Sequence, residues 1–557
     1  EKYNSDTSLT DAHVYGEYWK NDFLIQNLGN HGTAIRSLFY ETPDLVGARA
    51  GFHSYDPFFI SNEEFRYFNT RSPFSSINLM FGGANRSISE FSYYRNINSR
   101  WNIGGNFNRI NVDKQLNYEG RGDNNINSTY FDLNTNFVNK DSTYFLLAHF
   151  KQLNHEITEL GGISNDSILF DYDEALVNLD NSEGRDYRQF AHLYQQLNIF
   201  KAFEIYHTFD AGRQLNYFIS NLDTDDALFL SEPLIREDST TDRFQFSEIS
   251  NEGGIKGYYK GFYYRTYARH RYFNFNQRYL GTTDSGNEIY LGGNLRLDLG
   301  DKYKLEAKGE LLNNGNHILK GEIRSPLITL SYTRKQYAPS LLSQNYFANH
   351  YEWYNNFRPV QHDNIYGRLN IKLEKPSITL SPFVNLSSLN NYVYFNQDNQ
   401  PDQSTGFAQI ISSGLDLSIG LWDLFQLNQY GRYTLVTGSS QDIIRIPEFF
   451  YNASLYYYDL WFQNKLEIQT GLEMHAQSDY RALAYDPVTQ QFHLQDDFSI
   501  PGYFFLDAYL TFRVRTVYVT LKMLNILQQE GEGYLVSPYY TGQPSTFDLK
   551  VQWLFYN

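Results

Sequence analysis

Basic side chains recur on one face of two neighbouring stretches of this chain. Arg265, Arg269 and Arg271 are two or four residues apart, which places them on the same side of an extended backbone. A later stretch repeats the pattern with Lys302, Lys304 and Lys308. If these faces line a pore, they could filter or weakly bind anionic or hydroxylated solutes, because charged side chains at a constriction set ion selectivity. The alternative is a solvated wall whose charges pair across strands, with Glu306 and Glu310 balancing the lysines.

The charged face continues beyond these two stretches, and each of its members alternates with an apolar residue. The candidate lumen-lining residues are Arg265, Arg269, Arg271, Lys302, Lys304, Glu306, Lys308, Glu310, Lys320, Glu322, Arg324, Arg368 and Lys372. Under the pore hypothesis, replacing the three arginines with glutamate should shift ion selectivity.

The elements that must position these charges are β-strands. Residues 302–324 swap charge and apolarity at every position, and Asn313-Asn314-Gly315 interrupts the swap in the middle. A period of two indicates a strand, and an Asn/Gly-rich interruption between two such runs indicates a hairpin turn.

The same period recurs from Phe74 to the end of the chain. We count about 22 alternating runs, within a range of roughly 18 to 24. Every long connection follows an odd-numbered run, and these polar loops are 155–186, 219–242, 337–362, 388–406, 476–502 and 528–545. Short turns on one rim and long loops on the other are typical of outer-membrane barrels. The sequence therefore predicts an all-β, transmembrane, antiparallel up-and-down barrel over residues 74–557, with short periplasmic turns, long extracellular loops, apolar stripes facing lipid and charged stripes facing the lumen.

Composition supports this class of protein. Aromatic residues make up 17% of the 557 residues, with 48 Tyr and 43 Phe, and aromatic residues collect at the two membrane interfaces of barrels. No uninterrupted apolar run reaches the roughly 18 residues that a spanning helix needs. The formal net charge of −17 argues against a nucleic-acid partner, and the absence of cysteine excludes disulfides and cysteine-ligated metals.

Residues 1–73 form an irregular N-terminal segment that lacks the period of two. We expect it to occlude the lumen or to lie in the periplasm, and it is too short for the folded plug of a TonB-dependent transporter. Because Glu1 is not a natural start, we expect a mature or trimmed chain whose targeting segment has been removed.

Other candidate sites are weaker. Asp223, Asp225 and Asp226 could offer oxygens to calcium, but their spacing lacks the glycine and distal glutamate of an EF-hand loop, and the alternative is a solvated acidic loop. No cofactor and no firm metal site are predicted. No Asp, His and Ser set converges by spacing, so no enzymatic activity is predicted.

Several short motifs resemble one known family. Phe68-Asn-Thr-Arg-Ser-Pro-Phe74 is similar to the Tyr-Asn-Thr-Lys-x-Pro-Tyr motif of the putative porin family of Bacteroidota outer membranes. Glu159-Leu-Gly-Gly-Ile163 resembles that family's Glu-Asn-Gly-Gly-Ile loop, with Leu160 departing from it. The last residues resemble its closing strand and the aromatic signal that barrel-assembly machinery reads, through Phe547, Trp553 and Phe555. The resemblance implies an outer-membrane β-barrel of a Gram-negative bacterium.

Three functions fit these observations. The leading hypothesis is a porin-like channel for passive diffusion of small hydrophilic solutes. The second is a barrel subunit of a larger outer-membrane secretion or nutrient-uptake assembly, and the third is an active transporter whose plug lies upstream of Glu1. The expected partners are outer-membrane lipid and lipopolysaccharide, barrel-assembly machinery and other envelope proteins, with no nucleic acid.

Overall fold

Twenty-two antiparallel strands close into one barrel in a computed structural model of the chain. The structure describes residues 8–83, 85–164, 170, 172, 175–180, 182–222, 229–422, 424–529 and 531–556. The first and last strands pair with each other, with Ile77 opposite Trp553 and Phe81 opposite Leu549, so the sheet has no free edge there. The predicted fold class and strand number are confirmed.

The barrel strands are numbered in chain order. They are β1 Phe74–Gly82, β2 Arg86–Asn98, β3 Trp101–Asp113, β4 Asn124–Val138, β5 Tyr144–Glu159, β6 Ser182–Phe200, β7 Phe203–Asn221, β8 Ser239–Tyr259, β9 Phe262–Gln277, β10 Gly281–Leu299, β11 Tyr303–Leu312, β12 His317–Arg324, β13 Ile328–Tyr337, β14 Val360–Leu369 with its continuation Ile371–Leu373, β15 Ser377–Asn390, β16 Phe407–Leu421, β17 Phe425–Thr437, β18 Phe449–Trp461, β19 Leu466–Gln477, β20 Tyr503–Val514, β21 Val517–Leu524 and β22 Thr546–Phe555.

The two rims differ as the loop lengths predict. Connections that follow even-numbered strands are short, and residues 139–143 are the longest of them. The long connections all follow odd-numbered strands, among them 338–359 and 478–502. Several strands reach further toward the extracellular rim than the period of two indicates: β8 begins at Ser239, whereas its apolar alternation begins only near Phe244. Above the lipid both faces of a strand are polar, so the alternation that marks its membrane part fades.

The hairpin of β11 and β12 shows how alternation fixes the two faces. Glu306 lies opposite Glu322, and Leu305 lies opposite Ile323 on the other face. The apolar members of these pairs are exposed on the outside of the barrel. The turn uses Gly315 at φ 93, a conformation that favours glycine, and its N–H donates to Leu312 O at 2.9 Å. The predicted turn is confirmed.

The extracellular loops carry small pieces of regular structure. Short hairpins pair Asn345–Phe347 with Glu352–Tyr354, Val393–Phe395 with Pro401–Gln403, Ala484–Asp486 with Gln491–His493, and Leu535–Ser537 with Tyr540–Thr541. Helix α2, Leu341–Gln344, and a 3₁₀ turn at Gln441–Ile443 also lie in these loops, whereas helix α1, Gly16–Lys20, and a 3₁₀ turn at Asp56–Phe58 lie in the residues before β1. In the part of the chain that the structure describes, no helix is long and apolar enough to cross a membrane.

The largest buried cluster lies inside the barrel and joins three parts of the chain. Tyr15, Trp19 and Tyr55 come from the N-terminal residues, Ile126 comes from the inner wall, and Tyr540 comes from an extracellular loop. The core of this protein is therefore not the sheet alone, because the inner wall is covered by residues that precede β1.

Candidate functional site: the lumen and the segment inside it

Residues 8–73, here called the lumen segment, lie inside the barrel before β1 begins. Residues 13–22 contact β18 to β20 and β22, and residues 30–32 contact β3 to β5. Residues 39–52 then contact β17, β14, β13, β10, β9 and β7, and residues 56–68 contact β6, β5 and β4. Side-chain contacts reach β2–β7, β9, β10, β13, β14, β17–β20 and β22.

Buried cations of the wall donate hydrogen bonds to backbone carbonyls of the lumen segment. Lys550 Nζ lies 2.8 Å from Ala12 O and 2.9 Å from Val14 O. Three further wall cations repeat the arrangement: Lys335 donates to Pro43 O, Arg271 to Ala48 O and Lys151 to Ile60 O. A buried cation is costly unless it is paired, so these carbonyls satisfy the wall while the wall holds the segment. We call Lys151, Arg271, Lys335 and Lys550 the wall cations.

Carboxylates of the wall accept hydrogen bonds from the same segment. The Tyr15 hydroxyl donates to Asp548, which also pairs with Arg86 at 2.7 Å. Trp19 Nε1 donates to Asp507 at 3.2 Å. Since a hydrogen bond to a charged group contributes about 1.5–3 kcal/mol to stability, these contacts hold the part of the segment around Tyr15 and Trp19 against the wall.

A similar contact involves His13 of the segment. Its Nε2 lies 2.7 Å from Glu473 Oε1, and Glu473 pairs on its other oxygen with Lys522 at 2.5 Å. The His13 ring also stacks on the ring of Tyr509, with centroids 3.9 Å apart. The histidine therefore joins the segment to two neighbouring strands, β19 and β20.

Asp56 ties the last third of the segment to β6. Its carboxylate lies 2.6 Å from Arg188 and 2.9 Å from the ring of His53. The Asp56 side chain is 49% exposed. Its partial removal from water would by itself raise the pKa, but the charges of Arg188 and His53 outweigh this effect and lower the pKa to about 2. The carboxylate is therefore ionised at neutral pH, and it stabilises the docked segment in that form.

Extracellular loops cover the segment from above. The N–H groups of Ala338, Leu341 and Leu342 donate to carbonyls at residues 46–50, which forms a short backbone ladder. Gly29, at φ 92, lies so close to the loop before β22 that an added β-carbon would be 1.9 Å from Thr541 O. The lumen segment is thus enclosed between the wall and the loops, and only glycine fits at this contact.

The three predicted arginines all point inward and all meet carboxylates. Arg265 pairs with Glu252, and Arg269 pairs with Glu310 at 2.8 Å. Arg271 pairs with Glu248 at 2.6 Å and with Glu288 at 2.7 Å, in addition to its bond to the segment. This arrangement matches the cross-strand pairing that the sequence left open as an alternative to a filter.

The remaining predicted lumen residues divide into paired and exposed groups. Glu322 pairs with Lys320 at 3.1 Å and with Arg324, and Arg368 pairs with Asp416 at 2.8 Å. Glu306 accepts a hydrogen bond from Asn294 at 2.9 Å. Lys320 and Arg324 are exposed although they are paired, and the other exposed members are Lys302, Lys304, Lys308 and Lys372. The lumen-lining assignment of the whole set stays a prediction.

The weak calcium candidates Asp223, Asp225 and Asp226 lie outside the described residues. Within the described ranges, no group of three or more His, Asp or Glu side chains is placed to hold a metal ion.

Sequence reasoning missed Lys151, Lys335 and Lys550, although a signal for one of them exists. Lys550 stands between Leu549 and Val551, two members of the outward apolar stripe of β22, so the period of two places it inward. Its partners could not be found in this way, because Ala12 and Val14 contribute only backbone oxygens.

A cavity of about 650 Å³ remains between the lumen segment and one side of the wall. Residues 10–24 bound it on one side, and the inward faces of β14 to β19 bound it on the other. Its lining combines apolar and polar groups, and the polar ones include the Arg368–Asp416 pair, Ser381 and Asn428. These wall residues lie toward the ends of their strands that carry short turns, so the cavity belongs to the periplasmic half of the lumen.

Comparisons with known proteins agree with this fold. The family model described as "Putative porin" matches residues 1–557. The copper transporter OprC superposes with a TM-score of 0.69 at 11% identity, over 95% of this chain and 93% of that chain. The closed form of the ferric-catecholate import receptor Fiu from E. coli K12 gives 0.65 at 13% identity, over 95% and 93%.

FpvA of P. aeruginosa, in an iron complex with a heterologous pyoverdine, gives a TM-score of 0.62 at 11% identity, over 88% of this chain and 72% of that chain. At these identities the likeness concerns the fold alone. No curated protein matches the chain.

Proposed function

Since this chain belongs to the putative porin family, we propose that it is an outer-membrane uptake barrel for small hydrophilic solutes, and that solutes pass only when the lumen segment is displaced. The observation that carries the proposal is the commitment of the wall cations to the segment. Lys151, Arg271, Lys335 and Lys550 are each at most 6% exposed, and each donates to the segment.

The outer-membrane location follows from the family and the fold, independently of the transport step. The family and the 22-stranded barrel together confirm the predicted location in the outer membrane of a Gram-negative bacterium. Contacts with lipopolysaccharide, with barrel-assembly machinery and with other envelope proteins stay predictions.

The size of the barrel supports a role for the segment in closing the lumen. Barrels of about 22 strands enclose a lumen that natural proteins plug, whereas 16 to 18 strands leave an aqueous channel. The lumen segment contacts most strands of the wall, and loops 338–359 and 478–502 cover it on the outside. A solute that crosses the whole lumen must therefore displace part of this packing.

The cavity in the periplasmic half of the lumen offers a path for solutes once the segment moves. It adjoins residues 10–24, so displacement of this part would extend the cavity along the wall. Because its lining combines a charge pair with hydroxyl and amide groups, it suits hydrophilic solutes. The same cavity favours the second candidate, passive diffusion past a segment that stays in place, which is the channel predicted from the sequence.

A reversible cross-link between the segment and the wall separates the two candidates. A β-carbon added at Gly32 would lie 3.3 Å from Cβ of Ile126 on β4, close to the separation of about 3.5–4.5 Å found in disulfides. In Gly32→Cys/Ile126→Cys, loss of the isoleucine also removes the methyl that would clash with the new side chain. The chain has no other cysteine, so the pair reacts cleanly.

The measurement is ion current through the purified protein in planar bilayers, with moderate urea added to loosen the segment. We expect the oxidised double variant to stay closed, and the same sample to open after reduction. Ile126→Cys alone controls for the loss of the isoleucine, and a variant lacking residues 8–73 should conduct without urea. Large steady currents through the oxidised double variant, equal to those after reduction, would show that solutes pass a fixed segment and would refute displacement.

A further inference from the structure

A second cavity opens on the extracellular side, away from the cavity in the periplasmic half of the lumen. It has a volume of about 550 Å³ and lies between the extracellular ends of β9 to β12 and the loop 338–359. This volume falls in the range of small-molecule sites, about 300–1,000 Å³. The packing of the lumen segment against the wall does not account for this cavity.

Amide side chains dominate the lining of this extracellular cavity. The amide residues that border it are Asn287, Asn313, Asn314, Gln344, Asn345, Asn355 and Asn356. An amide offers two donors and an acceptor that accepts two hydrogen bonds, so a cluster of amides can bind vicinal hydroxyl groups. Among the described residues that line the cavity, none is Lys, Arg or His, so it has no cation to attract an anionic ligand.

Two buried acceptors at the cavity lack protein partners. Asp284 Oδ2 and Asn345 Oδ1 are shielded from solvent, and neither has a hydrogen-bond partner within the described residues. Glu288, the other carboxylate of the lining, is engaged by Ala48 N, Arg271 and the Tyr290 hydroxyl. Since buried polar atoms are nearly always satisfied, a free pair of acceptors at a cavity indicates a ligand that donates hydrogen bonds.

Apolar surface completes the site. The ring of Phe273, with Pro339 and Leu341, borders the cavity, and the exposed ring of Tyr354 stands at its edge. At position 286 a β-carbon would lie 2.9 Å from the Phe273 ring, so glycine leaves room beside that ring. Aromatic rings accommodate the C–H faces of a sugar while amides and a carboxylate bind its hydroxyls. We propose that this extracellular cavity binds a neutral, polyhydroxylated ligand of mono- or disaccharide size.

The test is binding of defined sugars to the full-length protein in detergent, measured by isothermal titration and saturation-transfer NMR. The probes are maltose, cellobiose and mannobiose as neutral sugars, and glucuronate as the anionic comparison. We expect at least one neutral disaccharide to bind with a Kd of roughly 1 mM, and glucuronate to bind at least about tenfold more weakly.

Two variants place the ligand in this cavity. Tyr354→Ala and Asp284→Ala should each weaken sugar binding about tenfold, and neither removes a hydrogen bond on which a neighbouring backbone group depends. Tyr394→Ala, in another extracellular hairpin, is the matched control and should leave binding unchanged. Failure of every neutral probe to bind at about 10 mM, or sugar binding that both cavity variants leave intact, overturns the proposal. Tighter binding of glucuronate than of the neutral sugars would overturn the assigned ligand class.

Because the cavity and the lumen segment share Ala48, the site is adjacent to the segment, but its ligand binding does not depend on transport. A protein that binds sugar and never conducts would retain this proposal and lose the transport proposal. A protein that opens on reduction of the cross-link and binds no sugar would retain the transport proposal and lose the sugar-binding proposal.

Discussion

Arg271 offers the sharpest test of how the lumen segment is held. Its guanidinium is 3% exposed, pairs with Glu248 and Glu288, and donates to Ala48 O at 2.9 Å. Replacement of Arg271 with methionine keeps an unbranched apolar stem and removes every donor. In the docked state Ala48 O then loses its partner, whereas in the displaced state water replaces that partner. The penalty therefore falls on docking.

The size of this effect follows from the hydrogen bond that is lost. A hydrogen bond to a charged group contributes about 1.5–3 kcal/mol, and the buried carbonyl keeps no alternative donor. Because about 1.4 kcal/mol corresponds to a tenfold change in an equilibrium constant, the displaced population should rise by roughly 12- to 140-fold. Glu288 still accepts from Ala48 N at 2.7 Å, so docking is weakened and not abolished.

Limited trypsinolysis measures the displaced population. Arg49 lies one residue beyond Ala48 and is held by Ala338 O, so trypsin reaches it only after this part of the segment leaves the wall. When opening and closing are fast relative to cleavage, the cleavage rate tracks the open population. We therefore expect the peptide ending at Arg49 to appear roughly 12- to 140-fold faster in Arg271→Met than in the native protein.

Arg265 supplies the matched control on the same strand. It also points inward and pairs with a carboxylate, but its partners Glu252 and Tyr206 belong to the wall. Arg265→Met should therefore leave cleavage after Arg49 unchanged. Equal acceleration in both variants would mean that general loosening of the barrel exposes Arg49, and would refute the role given to the bond from Arg271 to the segment.

Two further predictions concern other contacts. The pKa of Asp56 in the docked segment, about 2, lies below its ordinary value of 3.8, so the stabilisation of docking by Asp56 is complete above about pH 4 and is lost as pH falls toward 2. Hydrogen exchange at residues 53–60 should therefore rise as pH falls from about 4 to 2. In Asp56→Asn this part of the pH dependence should be absent. Trp353 donates to Leu342 O at 2.7 Å and stacks on Tyr346 at 4.3 Å, so Trp353→Ala should destabilise the loop 338–359 by about 3–5 kcal/mol. Exchange in that loop should rise in Trp353→Ala and not in Trp422→Ala, whose side chain is 81% exposed in a periplasmic turn.

The barrel could be predicted from the sequence because a membrane sheet has two chemically different faces. The alternation over 302–324 predicts the strands β11 and β12, and their turn follows from Asn313-Asn314-Gly315. Strand ends are less well marked. The alternating run of the fifth strand begins near Ser142, but β5 begins at Tyr144, because Ser142 takes φ 58 in the preceding turn and its N–H donates to Asn139 O.

The packing of the lumen segment could not be predicted in the same way. Its contacts with the wall do not repeat along the chain, and many of them end on backbone oxygens that every residue carries. Lys550 and Ala12 are separated by 538 positions, and no pattern in either neighbourhood indicates the other. The charges of the predicted lumen residues were visible in the sequence, but whether Arg271 faces water or a buried carbonyl depends on this long-range packing.

The choice of carbonyl partners also bears on whether the segment can move. A buried ion pair leaves two full charges to be rehydrated when it separates, and breaking one by removing a partner costs about 3–5 kcal/mol. When Lys335 or Lys550 leaves a carbonyl, only one full charge and one dipole pass to water, and both are well solvated there. Ionisable groups of the segment and the wall meet directly at His13–Glu473, Lys20–Glu90 and Asp56–Arg188. The contacts of the wall cations with carbonyls are of moderate strength, and each can be exchanged for water without leaving a charge unsatisfied. Such a design permits tight docking and reversible displacement in the same molecule, which a wall of ion pairs to the segment would not.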